Sequence, residues 1–257
     1  MKVRMYNVGF GDCFCLRDRK KSLLVDFGTN NSRIEGRPRR EIFDVIISDL
    51  STIKSKNLLL THFHMDHLSG LLYMMKKKDI SVDFGKIYLP DVFSKKEMSR
   101  TLVLLLLADL LKESGLPSRQ VSLFALVDAL LENKQNVELL SRGKLFENKY
   151  QALWPDTDVI RKETDEVYNR ICEDGKFKEV MDVLLEFAEK LRLIVWSMTA
   201  EGNKPAETVE KETDLTASEL TEQPEVRQKI IRAYVYEREF RRIKALPDFK
   251  KLLAWLN

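Results

Sequence analysis

The first ninety residues predict an α/β fold, and the remainder of the chain predicts helices. Three observations carry this reading. Up to Pro90, short apolar segments, some with period-two alternation, are interleaved with segments of helical spacing. Beyond residue 95, apolar residues recur every three or four positions. All three histidines of the chain fall between His62 and His67, at a strand-to-helix junction.

The elements follow in order. Residues 1–8 alternate Val3 and Met5 against Lys2 and Arg4, a strand that Gly9-Phe10-Gly11-Asp12 closes with turn chemistry. Residues 13–16 and 22–26 form the next strands, joined by a charged turn over 17–21. Residues 28–40, polar and broken by Gly36 and Pro38, read as a loop. Residues 41–53 set Ile42, Phe43, Ile46, Ile47 and Leu50 on one helical face. Residues 57–60 are a buried strand and 68–75 a helix, whose lysine-rich end at 76–78 suits the negative pole of the helix dipole. Residues 86–89 return as a strand.

Residues 95–113 and 118–140 read as apolar helices parted by Gly115-Leu116-Pro117. Residues 149–154 read as a short strand, and 165–171 and 176–196 as helices, with 191–198 also compatible with a strand. Residues 199–226, rich in Glu and Thr, predict a flexible polar loop. Helices follow at 227–245 and 247–256. The expected organisation is a motif-bearing N-terminal part at 1–94, a helical insertion at 95–148, a strand with helices at 149–198, the polar loop at 199–226 and C-terminal helices at 227–257.

Composition narrows the class. Hydrophobic residues at 44% and charged residues at 32% describe a globular chain, and a net charge of +3 excludes a polycationic tail. The charge is uneven: residues 1–154 carry 25 basic and 18 acidic side chains, and residues 155–257 carry 18 and 22, so the first part could suit an anionic substrate. Cys13, Cys15 and Cys172 are too few for a disulfide framework, which points to a reducing compartment. Cys13 and Cys15 read as core packing. The N-terminus has no apolar signal segment, and the longest apolar run, 102–108 inside a stretch to 111 that Asp109 interrupts, is about half a membrane span. The expected location is cytoplasmic, with no membrane partner. Arg227, Arg238, Arg241, Arg242 and Lys244 form a basic stripe, but Glu237 and Glu239 dilute it, so nucleic acid is only weakly indicated.

The chemistry sits in His62-Phe63-His64-Met65-Asp66-His67. His62 and His64 lie two apart, on one side of an extended backbone. Asp66 and His67 come where the chain turns into the next helix, which can bring them to the same point, and a carboxylate at a helix N-terminus is electrostatically favoured. Imidazole and carboxylate are suitable ligands for zinc, manganese or iron at a hydrolytic site.

The stretch LLLTHFHMDHLSG resembles the H-x-H-x-D-H motif of the metallo-β-lactamase fold hydrolases. Upstream, VGFGDCFCL followed by LLVDFGT is similar to the opening hairpin and D-x-G element of that fold, and the V-G-x-G-D form is most like the metallo-hydrolase domain of DNA-uptake competence proteins. Residues 143–155 resemble, faintly, a strand that precedes the second half of such domains.

The resemblance implies an αββα sandwich. It implies one or two divalent ions, with zinc first and manganese or iron as alternatives. His62 and His64 would serve one ion and Asp66 and His67 the other, with Asp66 the catalytic carboxylate and Asp26 a support for the motif loop. Metal-bound hydroxide would attack an ester or phosphoester bond, the substrate being a phosphodiester or another small phosphorylated molecule.

The family also supplies a third histidine for the first ion, a bridging aspartate and a final histidine, and this sequence has no histidine after His67. Asp91 and Asp156 are candidate substitute ligands. The sandwich is therefore expected to be incomplete, with a large helical insertion or C-terminal helical region. Large apolar residues run up to Asn257, so the chain is expected to stop inside a longer fold and to have little hydrolase activity alone. The alternative function is a catalytically incomplete binding module.

Overall fold

The computed structural model describes residues 1–18, 21–77, 83–113, 122–133, 135–173, 175–200, 243 and 245–256. These fall into two compact units, one drawn from Met1–Pro90 with Ser122–Leu140, the other from Asp91–Val121 with Ser141–Asn257. Most of the polar loop expected at 199–226, and nearly all of the helix expected at 227–245, lie outside the described residues.

The first unit is built on a six-stranded sheet in the order β1-β2-β3-β6-β7-β8. Its strands are β1 (Lys2–Met5), β2 (Phe14–Asp18), β3 (Lys21–Val25), β6 (Ser55–Leu59), β7 (Ile87–Pro90) and β8 (Val137–Leu140). β1, β2 and β3 run antiparallel, and β3, β6, β7 and β8 run parallel. The small hairpin β4 (Arg33–Ile34) with β5 (Arg37–Pro38) occupies what the sequence reads as loop.

Parallel strands need crossovers, and the helices supply them: α1 (Arg39–Ser51) links β3 to β6 and α2 (Met65–Lys76) links β6 to β7. α4 (Ser122–Glu132) leads into β8. With strand order advancing in one direction, right-handed crossovers put these helices in one layer, and α2 packs against both α1 and α4. Cys15, Leu24, Leu58, Ile87 and Val137 stand opposite one another across five strands, and all are buried. Phe43, Ile46, Ile47 and Leu50 of α1 and Leu68, Leu71 and Met74 of α2 are buried with them. Cys13 is buried too, and desolvation pushes its thiol well up, so both early cysteines behave as core residues.

β8 corrects the sequence reading, which runs one helix through residues 118–140. Asn133 Nδ2 donates to Ala129 O and the Gln135 amide to Leu130 O, closing α4, after which Val137–Leu140 pairs with β7. An apolar tetrad is ambiguous between helix and strand until the sheet edge beside it is known.

The second unit is mainly helical, with α3 (Ser99–Glu113), α5 (Thr157–Cys172), α6 (Lys178–Ser197) and α7 (Phe249–Leu256), a short 3-10 turn at Lys96–Met98, and a hairpin of β9 (Leu145–Phe146) and β10 (Tyr150–Gln151). Residues 191–197 are helical, not a strand. α3 packs against α5, α6 and α7. Arg192 is buried, binds Glu189 through Nε and Nη2, and donates from Nη1 to Phe93 O at 3.2 Å. Ser99 Oγ also donates to Glu189. Outside the six-stranded sheet, the strands of the described residues form only the two small hairpins. No described helix is long and apolar enough to cross a membrane.

Candidate metal centre

The centre lies just past the carboxyl ends of the adjacent parallel strands β3 and β6, where open α/β sheets place their ligands. Asp26 follows β3 directly. Its amide donates to Leu59 O at 2.8 Å, and its φ of 53° is left-handed, a conformation that Asp tolerates better than most residues. That turn drives its side chain inward, to 2% exposure.

Three segments are tied together by backbone hydrogen bonds. The Phe27 amide donates to His67 O at 2.7 Å, while the Gly70 and Leu71 amides donate to Phe27 O. The Asp12 amide donates to Asp66 O, and the Gly28 amide to Asp12 O, both at 3.3 Å. Ser69 Oγ accepts from the Thr29 amide and donates to Thr29 O, each at 2.9 Å. Such close approach needs glycine. A Cβ on Gly28 would stand 2.6 Å from the His67 carbonyl carbon, and one on Gly70 would stand 2.6 Å from the Phe27 ring.

α2 begins at Met65, three residues before the apolar periodicity of the sequence starts, so Asp66 and His67 occupy its first turn. His64 is the N-cap in extended conformation, and its carbonyl accepts from the His67 and Leu68 amides. Asp66 thus sits at the positive pole of the helix.

These constraints gather the side chains. Ligand atoms of His62, Asp66 and His67 lie within 4.8 Å of one another, and the same holds for Asp12, Asp26 and His67. The His62 and His67 ring centroids are 3.7 Å apart, and His67 Nε2 is 3.7 Å from Asp66 Oδ2. His67 Nδ1 faces Asp26 Oδ2 at 3.0 Å and Asp12 Oδ2 at 3.7 Å. His64 is exposed, with its ring 4.9 Å from that of His62 and nearly perpendicular to it. Burial, then the neighbouring His67 and His64, lower the pKa of His62, against the opposing pull of Asp26 and Asp66. That direction favours neutral imidazole, the form in which histidine binds a metal. Two imidazoles and a carboxylate converging on one point suit a divalent transition metal.

The weaker candidates have local partners. Asp91 is buried and accepts from the Ser94 amide at 3.1 Å and Ser94 Oγ at 2.8 Å. Asp156 caps α5 through the Val159 amide and pairs with Arg142 Nη1 at 3.0 Å, and the two contacts, in that order, hold its carboxyl below the usual range. Sequence reasoning missed Thr61 and Asp12. The Thr61 amide and Oγ1 both bond Asp26, at 2.8 and 2.7 Å. A hydroxyl directly before His62 was the available signal for Thr61, whereas Asp12 looks like an ordinary turn residue.

Residues 6–91 match the model of the metallo-beta-lactamase superfamily, so the N-terminal region carries a domain of that superfamily. Its sheet of mostly parallel strands flanked by helices is consistent with the metallo-β-lactamase fold. The chain is 32% identical over 77 residues to the Endoribonuclease YSH1 of Mycosarcoma maydis. That stretch is 30% of this chain, and the chain spans only 8% of that protein's length. No solved structure gives a significant match.

Proposed function

We propose that the protein is a metal-dependent phosphodiester hydrolase whose centre is His62, Asp66 and His67, with His64 at the exposed rim. The observation that carries this is the convergence of two imidazoles and one carboxylate within 4.8 Å. His67 is aimed by the buried Asp26. A divalent ion held there, with zinc the first choice and manganese or iron next, would supply Lewis acidity and a nucleophile at neutral pH.

The chain's own groups divide the remaining work. Asp66 Oδ2, partly exposed, would accept the proton of an attacking water. Asp26, buried behind it, keeps His67 turned to the centre. A phosphodiester is favoured by the basic first part of the chain, by the name of the endoribonuclease it resembles and by the competence-type V-G-x-G-D form at Val8–Asp12. This last step is an analogy between folds.

A second reading has its own observation. The chain contains no histidine beyond His67, and of the carboxylates offered as substitutes Asp91 is bonded to Ser94 and Asp156 to the Val159 amide and Arg142. On that reading the protein binds metal but acts as an interaction module. Purified protein supplied with zinc or manganese and a bis-aryl phosphodiester separates the two. Turnover above free metal, lost in Asp66→Ala, supports the hydrolase. Bound metal without turnover supports the module.

A further inference from the structure

Thr61 touches both Asp26 and His62, which restricts where the protons along that path can lie. Asp26 Oδ1 accepts from the Thr61 amide at 2.8 Å, and Oδ2 accepts from Thr61 Oγ1 at 2.7 Å. A carboxylate offers acceptors only, and a threonine hydroxyl has one proton, so that proton is spent on Asp26. Thr61 Oγ1 also lies 3.0 Å from His62 Nδ1 and has only lone pairs left to present. Hydrogen on His62 Nδ1, with the lone pair on Nε2, is the arrangement that suits these acceptors. The opposite tautomer would set lone pair against lone pair beside a buried charge.

We propose that Thr61 is a positioning residue that holds His62 in the Nδ1–H tautomer, so that one buried carboxylate orients two imidazoles. Asp26 acts on His67 directly, at 3.0 Å from Nδ1, and on His62 through the Thr61 hydroxyl. Both rings then have Nε2 free. The consequence for metal binding rests on the metal-centre reading above, but the tautomer is a property of the metal-free protein. Free histidine favours the Nε2–H form, so the relay works against the intrinsic preference and its effect is visible.

Long-range proton–nitrogen correlation spectra of the metal-free protein, at a pH where histidine is neutral, report each tautomer. With three histidines in the chain, single substitutions assign the signals. His62 is expected as Nδ1–H in the wild type and in Thr61→Ser, which keeps the hydroxyl, and as Nε2–H in the near-isosteric Thr61→Val. Chelator competition should show zinc affinity about 10- to 100-fold weaker in Thr61→Val, the usual range for losing a partner behind a ligand. Thr61→Ser should stay close to wild type. An Nε2–H His62 in the wild type, an Nδ1–H His62 in Thr61→Val, or equal zinc affinity in Thr61→Val and wild type overturns the relay. A wild-type protein that takes up no zinc overturns the metal-centre reading instead, and the spectra still decide the relay.

Discussion

Asp26 Oδ2 and His67 Nδ1 meet at 3.0 Å across 41 residues of sequence, joining the end of β3 to the first turn of α2. The carboxylate is almost wholly buried and accepts from the Thr61 amide and hydroxyl and from His67. Asp26→Asn keeps the shape and tolerates the left-handed φ, but replaces one acceptor oxygen with an NH2 donor. A buried donor then faces a donor whichever way the amide turns. The expected cost is about 1–3 kcal/mol, read as a lower melting temperature in the metal-free protein, together with weaker zinc binding. Unchanged stability and unchanged affinity would mean that Asp26 does not organise the centre.

Gly28 tests the backbone side of the same arrangement. A methyl group there would lie 2.6 Å from Leu68 N and the His67 carbonyl carbon and 2.7 Å from the Asp66 carbonyl carbon, all main-chain atoms that cannot rotate away. Gly28→Ala should destabilise the fold by roughly 1–3 kcal/mol, as overpacking does, and loosen metal binding by shifting Asp66 and His67. A variant with wild-type melting temperature and affinity would show that the loop yields at no cost.

Acid sensitivity should arise in the second unit, at Glu189. Burial raises its pKa, but the Arg192 bonds, then Ser99, outweigh that and leave it below the ordinary value. A carboxyl lowered on folding contributes stability that is complete above its unfolded pKa, about 4.3, and is lost as pH falls through the folded value. Denaturation of the wild type below that pH should therefore steepen with acid, and Glu189→Gln should flatten the dependence. The variant should also lose on the order of 2 kcal/mol at neutral pH, because Arg192 stays buried beside a neutral partner. An unaltered acid limb would assign the sensitivity to other carboxylates.

Much of this was legible in the sequence. Alternation in the early strands, helical spacing at Phe43, Ile46, Ile47 and Leu50, and the confinement of every histidine to His62–His67 suffice to place the first strands and the first crossover helix and to single out the histidine cluster. What stayed hidden depends on partners distant in sequence. Val137–Leu140 becomes a strand because β7 leaves it an edge. Thr61 matters because Asp26, 35 residues earlier, accepts its proton. The early start of α2 follows from His64 O capping the His67 and Leu68 amides, which apolar periodicity cannot register.

The central claim is that His62, Asp66 and His67 hold a divalent metal. Metal content measured by elemental analysis, after zinc loading and dialysis, tests it most directly in the wild type and in the His62→Ala, His67→Ala double variant, with circular dichroism to confirm that both are folded. One or more equivalents per chain are expected in the wild type, falling to near zero in the variant. A folded double variant that retains its full metal content, or a wild type that retains none, would contradict the assignment.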